Sequence, residues 1–219
     1  MTRLILVRHG QAICNVERTI EGIATCRGLS PLGRLQVDAI CNRFVQQGFT
    51  ADALYSSPIL RARESAAQIA TTLGIGYDCD AALEEVRPGD AEGMNWDQYS
   101  AFYGNTEGWN PKVPFAPNAE AWTDFARRVG DVLDRISQRH RNDTVVIVTH
   151  GGVVDASVFH YFGLDPTVQS PIDFESSNTG ITEWERRTFT NVDRSQVHRW
   201  RLVRYNDASH LFDIAAPKP

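Results

Sequence analysis

Two histidines stand where apolar, β-branched segments of the chain end. His9 follows the segment 4–7 and one arginine, His150 follows the segment 144–148 and one threonine, and a glycine comes directly after each histidine. Continuous apolar segments of this length are typical of strands that are buried on both faces of a parallel sheet. Because functional sites of such sheets lie beyond the carboxyl ends of the strands, we expect the two histidines to share one site.

The chemistry that these residues offer is phosphoryl transfer. A neutral imidazole such as that of His9 is a good nucleophile near pH 7, and Arg8 can hold phosphate oxygens with two parallel hydrogen bonds. Arg61 follows Ser-Ser-Pro in the first turn of a predicted helix, where backbone amides also favour anions. His150 can donate to a phosphoryl oxygen. Arginines and a histidine thus supply the positioning and charge neutralisation that the reaction needs, without metal.

Simpler interpretations exist for each residue taken alone. A single histidine is more often a packed or surface residue than a catalytic one, and Arg61 is equally explained as a solvated arginine at a helix start. Two strand-end histidines in one chain, each followed by glycine, nevertheless indicate a shared site.

A general acid is needed to protonate the leaving oxygen, and the segment 84–92 offers four carboxyl groups. A carboxyl kept protonated beside the site can give its proton to the departing oxygen and then activate water. Spacing alone does not choose among Glu84, Glu85, Asp90 and Glu92.

The elements that must position these groups alternate between strands and helices. Helical patterns cover about 31–47, 58–73 and 120–140 and resume after residue 152, and short strands are predicted at 4–7, 53–56 and 144–149. The segments 180–187 and 198–205 alternate polar and apolar residues, which predicts exposed or edge strands. The fold class is α/β, with three layers: a mostly parallel sheet and helices on both faces. The loop-rich, aromatic segment 93–118 is interpreted as a small cap-like insertion over the site.

Composition narrows the class of protein. With 219 residues the chain suits a single domain, 1–219, and a net charge of −5 without any Lys/Arg block argues against nucleic acid as a partner. No apolar run approaches the roughly 20 residues that span a bilayer, so no membrane partner is expected. The four cysteines lack a CxxC spacing and indicate reduced thiols of a cytoplasmic protein. The scattered histidines predict no metal site and no cofactor; a homodimer is left open.

The motifs, in this order, resemble those of the histidine phosphatase superfamily, also called phosphoglycerate mutase-like. They are LVRHGQ at 6–11 with Asn15 after it, SSPILRARESA at 56–66, LEEVRPGDAEG at 83–93 and VTHGG at 148–152. The resemblance covers most of the chain and implies that His9 is the phosphorylated histidine and that Glu85 is the proton donor. It implies that Arg8, Asn15, Arg61 and His150 form the phosphate pocket. A late segment, NDASH at 206–210, resembles family members more loosely.

The chain departs from the family pattern at a few positions. Ala12 lacks the hydroxyl that often follows the motif, Glu21 stands where glutamine is frequent, and Glu120 resembles a motif glutamate whose flanking glycines and serine are missing. None of these departures removes a catalytic group. The departures therefore affect residues that would contact the substrate, and not the groups that would carry out the reaction.

We expect a phosphatase that hydrolyses a small phosphomonoester, a sugar or metabolite phosphate, through a phosphohistidine. The alternative within the family is a cofactor-dependent phosphoglycerate mutase, which would carry paired arginines for the substrate carboxylate; here only Lys112 stands between Arg87 and Arg127. The alternative from another class is a regulator that binds phosphorylated ligands without turnover. The complete set of catalytic groups argues against it.

Overall fold

The protein is a three-layer α/β/α sandwich around a six-stranded sheet. The structure, a computed structural model, describes residues 1–104, 110–169, 172 and 174–212. Within these ranges the elements are β1 (Thr2–Arg8), α1 (Ile13–Glu17), α2 (Pro31–Gln46), β2 (Ala53–Ser56), α3 (Leu60–Leu73), β3 (Asp78–Cys79), α4 (Trp96–Tyr103), α5 (Trp122–Arg139), β4 (Thr144–Thr149), α6 (Gly151–Phe162), β5 (Ile181–Thr190) and β6 (Gln196–Asp207), with short 3-10 turns at Ala81–Leu83, Gly89–Ala91 and Ser209–Leu211.

The sheet has the strand order β3-β2-β4-β1-β5-β6. β1, β2, β3 and β4 are mutually parallel, whereas β5 runs antiparallel to both β1 and β6. The predicted mostly parallel sheet is therefore confirmed. β1 and β4 lie side by side in the centre, with Arg8 opposite Thr149, so the chain leaves both strands at the same level.

Alternate side chains of the central strands build two separate cores. Leu4 and Leu6 pack with Val145 and Ile147 against α5 and α6. The residues between them face the other side and pack against α2 and α3, as Ile5 does. The central strands are buried on both faces, as their continuous apolar sequences predict.

Helix ends follow the local chemistry of the sequence. Ser30 accepts a hydrogen bond from the Gly33 amide at 3.0 Å and caps α2, and Gly74 ends α3 in the left-handed conformation. Helix α4 was missed in the segment interpreted as loop-rich, although its signal is present: Asn95 and Gln98 form a reciprocal capping box. None of the described helices is both long and apolar enough to cross a membrane.

The prediction for the two late strands is right for β6, which is an edge strand, and wrong for β5. β5 lies between β1 and β6, and its first five residues are all buried. Its polar positions do not face water: Glu183 is held by Arg3 at 2.8 Å and by Arg204 at 2.9 Å. A polar–apolar alternation indicates an exposed face only when its charged residues lack ion-pair partners that cover them.

Two glycines bring the loop after His9 against α2. A Cβ on Gly33 would stand 2.0 Å from the carbonyl oxygen of Gln11, and one on Gly10 would stand 2.5 Å from the carbonyl oxygen of Gly33. Backbone atoms on both sides cannot move aside as a flexible side chain can. The contact fixes the start of α2 relative to the residue that follows His9.

We predict that Gly33→Ala destabilises the fold, although alanine is the better helix former. The clash with Gln11 should lower the free energy of unfolding by roughly 1–3 kcal/mol, the usual cost of overpacking. Urea unfolding measures this change. Gly76→Ala is the control, because open space surrounds Gly76, and it should be neutral or slightly stabilising. If Gly33→Ala were as stable as the wild type, the close contact would be wrong.

Candidate active site

The ends of β1 and β4 bring the two predicted histidines together. The ring centroids of His9 and His150 lie 5.1 Å apart in an edge-to-face arrangement. Both side chains are buried, and the guanidinium of Arg61 reaches the same place from the first turn of α3. Groups from three separate parts of the sequence thus meet at the carboxyl edge of the sheet.

The ring of His9 has a defined protonation state. Its Nδ1 lies 2.7 Å from the carbonyl oxygen of Gly10, which can only accept, so Nδ1 carries the hydrogen. Nε2 therefore presents a lone pair, which accepts a hydrogen bond from Nε of Arg61 at 3.1 Å. Burial, together with the charges of Arg61 and Arg8, holds the pKa of His9 well below its ordinary value. The imidazole is thus neutral, with Nε2 as its reactive nitrogen.

Arg61 and Arg8 flank this ring. Arg61 is 4% exposed and also donates from Nη1 to the carbonyl oxygen of Glu21, which rules out a solvated helix-start arginine; Arg63 is exposed, as its position on the helix predicts. Arg8 donates to the carbonyl oxygen of Ser176. Its buried Nε has no hydrogen-bond partner among the described residues. Burial lowers the pKa of Arg8, the charges of Glu85 and Asp155 raise it, and the charge of Arg61 lowers it further.

His150 is completely buried and is not on the wall of the open cavity. Its Nε2 lies 2.8 Å from the hydroxyl of Ser57, and its Nδ1 has no partner within the described part of the chain. Burial, followed by the charge of Arg61, places the pKa of His150 well below its ordinary value. Ser57 was seen in the sequence only as part of a strand end. Its contact with His150 joins residues 93 positions apart and leaves no local signal.

The structure separates the four candidate carboxyl groups. Glu85 lies on the cavity wall, where its oxygens accept from the amides of Gly152 at 3.1 Å and Val86 at 3.0 Å. Glu84 instead pairs with Arg87 at 3.0 Å.

The other two carboxylates have structural contacts away from the wall. Asp90 accepts from the side-chain amide of Asn118, and Glu92 accepts from the amides of Ala24 and Thr25. Of the four candidate carboxyl groups, Glu85 is therefore the one that lines the cavity.

The cavity that opens onto His9 has a volume of about 380 Å³. Asn15 is on its wall, with its side-chain oxygen fixed by the Ala12 amide at 2.9 Å. Trp96 and Phe115, from the segment 93–118, form part of the same wall; Trp109 of that segment lies outside the described residues. The remaining lining residues are Arg8, Cys14, Arg18, Thr19, Ile20, Glu21, Arg61, Glu85, Val86 and Pro88.

The segment just before β5 completes the site and was not predicted from the sequence. Asn178 donates from its side chain to the carbonyl oxygen of His9 at 3.0 Å, and the Thr179 amide donates to that of Arg8 at 2.8 Å. The Thr179 hydroxyl lies 2.9 Å from Nε2 of His210. His210 belongs to the late segment 206–210, where the sequence resembles the family more loosely. That loose resemblance was the available signal.

No cluster of metal-ligating side chains is present in the described ranges, and the four cysteines are free thiols. The groups gathered at the site are thus cations, imidazoles and the carboxyl groups of Glu85 and Glu21, of which Glu21 pairs with Arg27.

Comparison with known proteins agrees with this arrangement. The family model described as "Histidine phosphatase superfamily (branch 1)" matches residues 4–207. A protein of Arabidopsis thaliana named "Metal-independent phosphoserine phosphatase" is 30% identical, covering 98% of this chain and 85% of its own. A "2,3-bisphosphoglycerate-dependent phosphoglycerate mutase" of Brucella anthropi is also 30% identical, covering 81% of this chain and 88% of its own.

Among solved structures, the YhfR protein of Bacillus stearothermophilus superposes with a TM-score of 0.78 at 25% identity, covering 96% of this chain and all of that one. A mycobacterial glucosyl-3-phosphoglycerate phosphatase, solved with VO3, gives a TM-score of 0.73 at 25% identity, with coverages of 93% and 98%. The sequence match, the fold and the strand-end histidines lead to one conclusion: this chain belongs to the histidine phosphatase superfamily.

Proposed function

We propose that the protein is a phosphatase that hydrolyses a small phosphomonoester, such as a sugar or metabolite phosphate, through a phosphohistidine on His9. The observation that carries the proposal is the neutral ring of His9, whose Nε2 accepts a hydrogen bond from Arg61 and which lines the same cavity as Arg8 and Arg61. Glu85 on the same wall supplies the one proton that the reaction must deliver. The membership of the superfamily supports the same chemistry.

The phosphate group of the substrate fits the unfilled hydrogen-bonding capacity of the site. Arg8 has an unpartnered Nε, and Arg61 can exchange its hydrogen bond to His9 for one to a phosphoryl oxygen. Ser57 already accepts from the Ile59 amide, so its own hydrogen is available for Nε2 of His150. In this arrangement Nδ1 of His150 carries a hydrogen that it can donate to the substrate. We assign Asn15 a further contact at the rim.

The reaction proceeds in two displacements. Nε2 of His9 forms a bond to phosphorus while the bond from phosphorus to the leaving oxygen breaks, and the electron pair on that oxygen takes a proton from Glu85. Water then attacks the phosphohistidine as the Glu85 carboxylate removes its proton, which releases inorganic phosphate and restores the ring. The guanidiniums neutralise charge on the transferred group throughout, so the protein's own cations serve where other phosphatases use metal.

The rest of the substrate would lie against the apolar part of the wall, formed by Ile20, Val86, Pro88, Trp96 and Phe115. We propose that the segment 93–118 is a cap-like insertion of a single domain and that it limits the size of the substrate. The relatives support a small phosphoester, since their names specify phosphoserine and glucosyl-3-phosphoglycerate phosphatases. The free cysteines suit the cytoplasm, which we propose as the compartment.

The mutase alternative lacks support in the cavity. A mutase needs paired arginines for the substrate carboxylate, but Arg87 pairs with Glu84 and Arg127 pairs with Asp124. Neither arginine lies on the wall, where Arg18 is the cation besides the two that flank His9. A protein that only bound phosphorylated ligands would need neither the defined tautomer of His9 nor the adjacent carboxyl of Glu85.

We predict that His9 becomes phosphorylated during turnover. A rapid quench with substrate labelled in its phosphate should trap a phosphoprotein that is labile in acid and stable in alkali. His9→Ala should retain less than about 1% of the activity, because loss of a nucleophile costs several powers of ten. The experiment is run in EDTA, which should not slow turnover. No trapped label, or a rate that requires added Mg²⁺ or Zn²⁺, would contradict the proposal.

We also predict that Glu85 matters most for poor leaving groups. Glu85→Gln should slow the phosphorylation step for alkyl phosphates by about 10²- to 10⁴-fold, the usual range for general acid catalysis, and should slow it much less for p-nitrophenyl phosphate. Burst kinetics separate this step from dephosphorylation, in which the same carboxylate activates water.

Glu84→Gln is the matched control, because Glu84 pairs with Arg87 away from the cavity wall. It should leave both rates near the wild-type values. The assignment of the acid fails if Glu84→Gln is the damaging change or if Glu85→Gln slows both substrates to the same extent.

The neutral histidines predict how stability depends on pH. The unfolded chain takes up protons at His9 and His150 near the ordinary pKa of about 6.5, whereas the folded protein does so only at lower pH. Because the unfolded state then binds more protons, the free energy of unfolding should fall as the pH decreases below about 6.5, by up to about 1.4 kcal/mol per pH unit for each ring.

Urea unfolding between about pH 7 and about pH 5 measures this slope, and the carboxylates that are stabilised by arginines lose their contribution mainly below that window. His9→Asn removes one of the titrating rings and should reduce the slope. An identical slope in the wild type and the variant would show that His9 is protonated equally in the folded and unfolded states.

A further inference from the structure

The backbone that carries Glu85 has little regular structure of its own. It lies between two 3-10 turns, Ala81–Leu83 and Gly89–Ala91, and belongs to no strand. The position of the Glu85 carboxyl therefore depends on what holds the carbonyl groups of this segment. One such contact is the Thr149 hydroxyl, which donates to the carbonyl oxygen of Leu83 at 2.8 Å.

Arg128 of helix α5 holds the other carbonyl groups. Its Nη1 donates to the carbonyl oxygens of Ala82 at 2.9 Å and Glu84 at 3.1 Å, and its Nη2 donates to that of Glu85 at 3.3 Å. One side chain thus contacts three of the four carbonyl oxygens at 82–85.

Arg128 is itself fixed on its other side by Glu120. Nε donates to one carboxylate oxygen at 2.8 Å and Nη2 to the other at 2.6 Å, and the guanidinium lies 5.0 Å from the ring centroid of Phe125. A guanidinium has five N–H donors, and these five hydrogen bonds use all of them. Both side chains are largely buried, at 13% and 12% exposed. The pair is therefore a rigid link between α5 and the Glu85 segment.

We propose that Arg128, held by Glu120, is a positioning residue that sets where the Glu85 carboxyl stands relative to His9 and the leaving oxygen. The inference rests on the proposed role of Glu85 as the general acid. Proton transfer requires the acid within hydrogen-bond distance of the leaving oxygen, and a displacement of about 1 Å can cost about 10²-fold in rate. Lysine cannot replace the arginine, because its three donors on a single nitrogen do not match this planar set of five acceptor contacts.

The test compares Arg128→Lys with the wild type on an alkyl phosphate and on p-nitrophenyl phosphate. We expect kcat/KM for the alkyl phosphate to fall by about 10²-fold and that for p-nitrophenyl phosphate to change far less. Glu120→Gln, which keeps one oxygen acceptor, should show the same selectivity with a smaller loss. Arg127→Lys is the matched control: Arg127 is the neighbouring arginine on the same helix, is exposed and pairs with Asp124, and its replacement should leave both rates unchanged.

A double-mutant cycle distinguishes positioning from a general weakening of the fold. In a Glu85→Gln background, Arg128→Lys should have no further effect on the alkyl phosphate, because the group that it positions is gone. Equal losses on both substrates, or an undiminished loss in the Glu85→Gln background, would overturn the inference while leaving the proposed function intact. If Glu85→Gln itself showed no dependence on the leaving group, the proposed role of Glu85 and the inference would both fall.

Discussion

The structure depends on the neutral imidazole of His9, which is held by the buried guanidinium of Arg61 and shares its cavity with the half-buried Arg8. Burial and the charge of Arg61 lower the pKa of both Arg8 and His9, and the charges of Glu85 and Asp155 offset this effect at Arg8. An anion with several oxygen atoms matches such a cluster of donors and positive charge. The cluster requires a framework that keeps the cations from moving apart.

The framework comes from rigid elements on every side of His9. The parallel register of β1 and β4 fixes the level at which the two histidines emerge, and the contact of Gly10 with Gly33 seats the next residue against α2. Asn178 and the Thr179 amide hold the backbone carbonyls of His9 and Arg8 from the opposite side. His9 is thus fixed through its backbone, and its ring is oriented by the Gly10 carbonyl.

Much of this arrangement could be predicted from the sequence, because short-range patterns encode it. Continuous β-branched segments gave the central strands, and the turns after them placed His9 and His150 at one edge of the sheet. β5 was mispredicted because the partners that neutralise Glu183 come from two other strands, β1 and β6, and do not show in the sequence of β5 itself. The roles of Ser57 and Asn178 likewise depend on contacts across long sequence separations, and neither residue belongs to a periodic pattern. In the sequence, Arg128 occupies an ordinary polar position of an amphipathic helix, so the pattern gives no sign of its contacts.

A crystal structure of the protein with orthovanadate, which mimics the transferred phosphoryl group, tests the role of His9 most directly. We expect a bond from vanadium to Nε2 of His9, with Arg8 and Arg61 on the equatorial oxygens and the Glu85 carboxyl on the apical oxygen opposite the ring. Vanadate bound away from His9, attached through Nδ1, or faced by a carboxyl other than that of Glu85 would contradict this expectation.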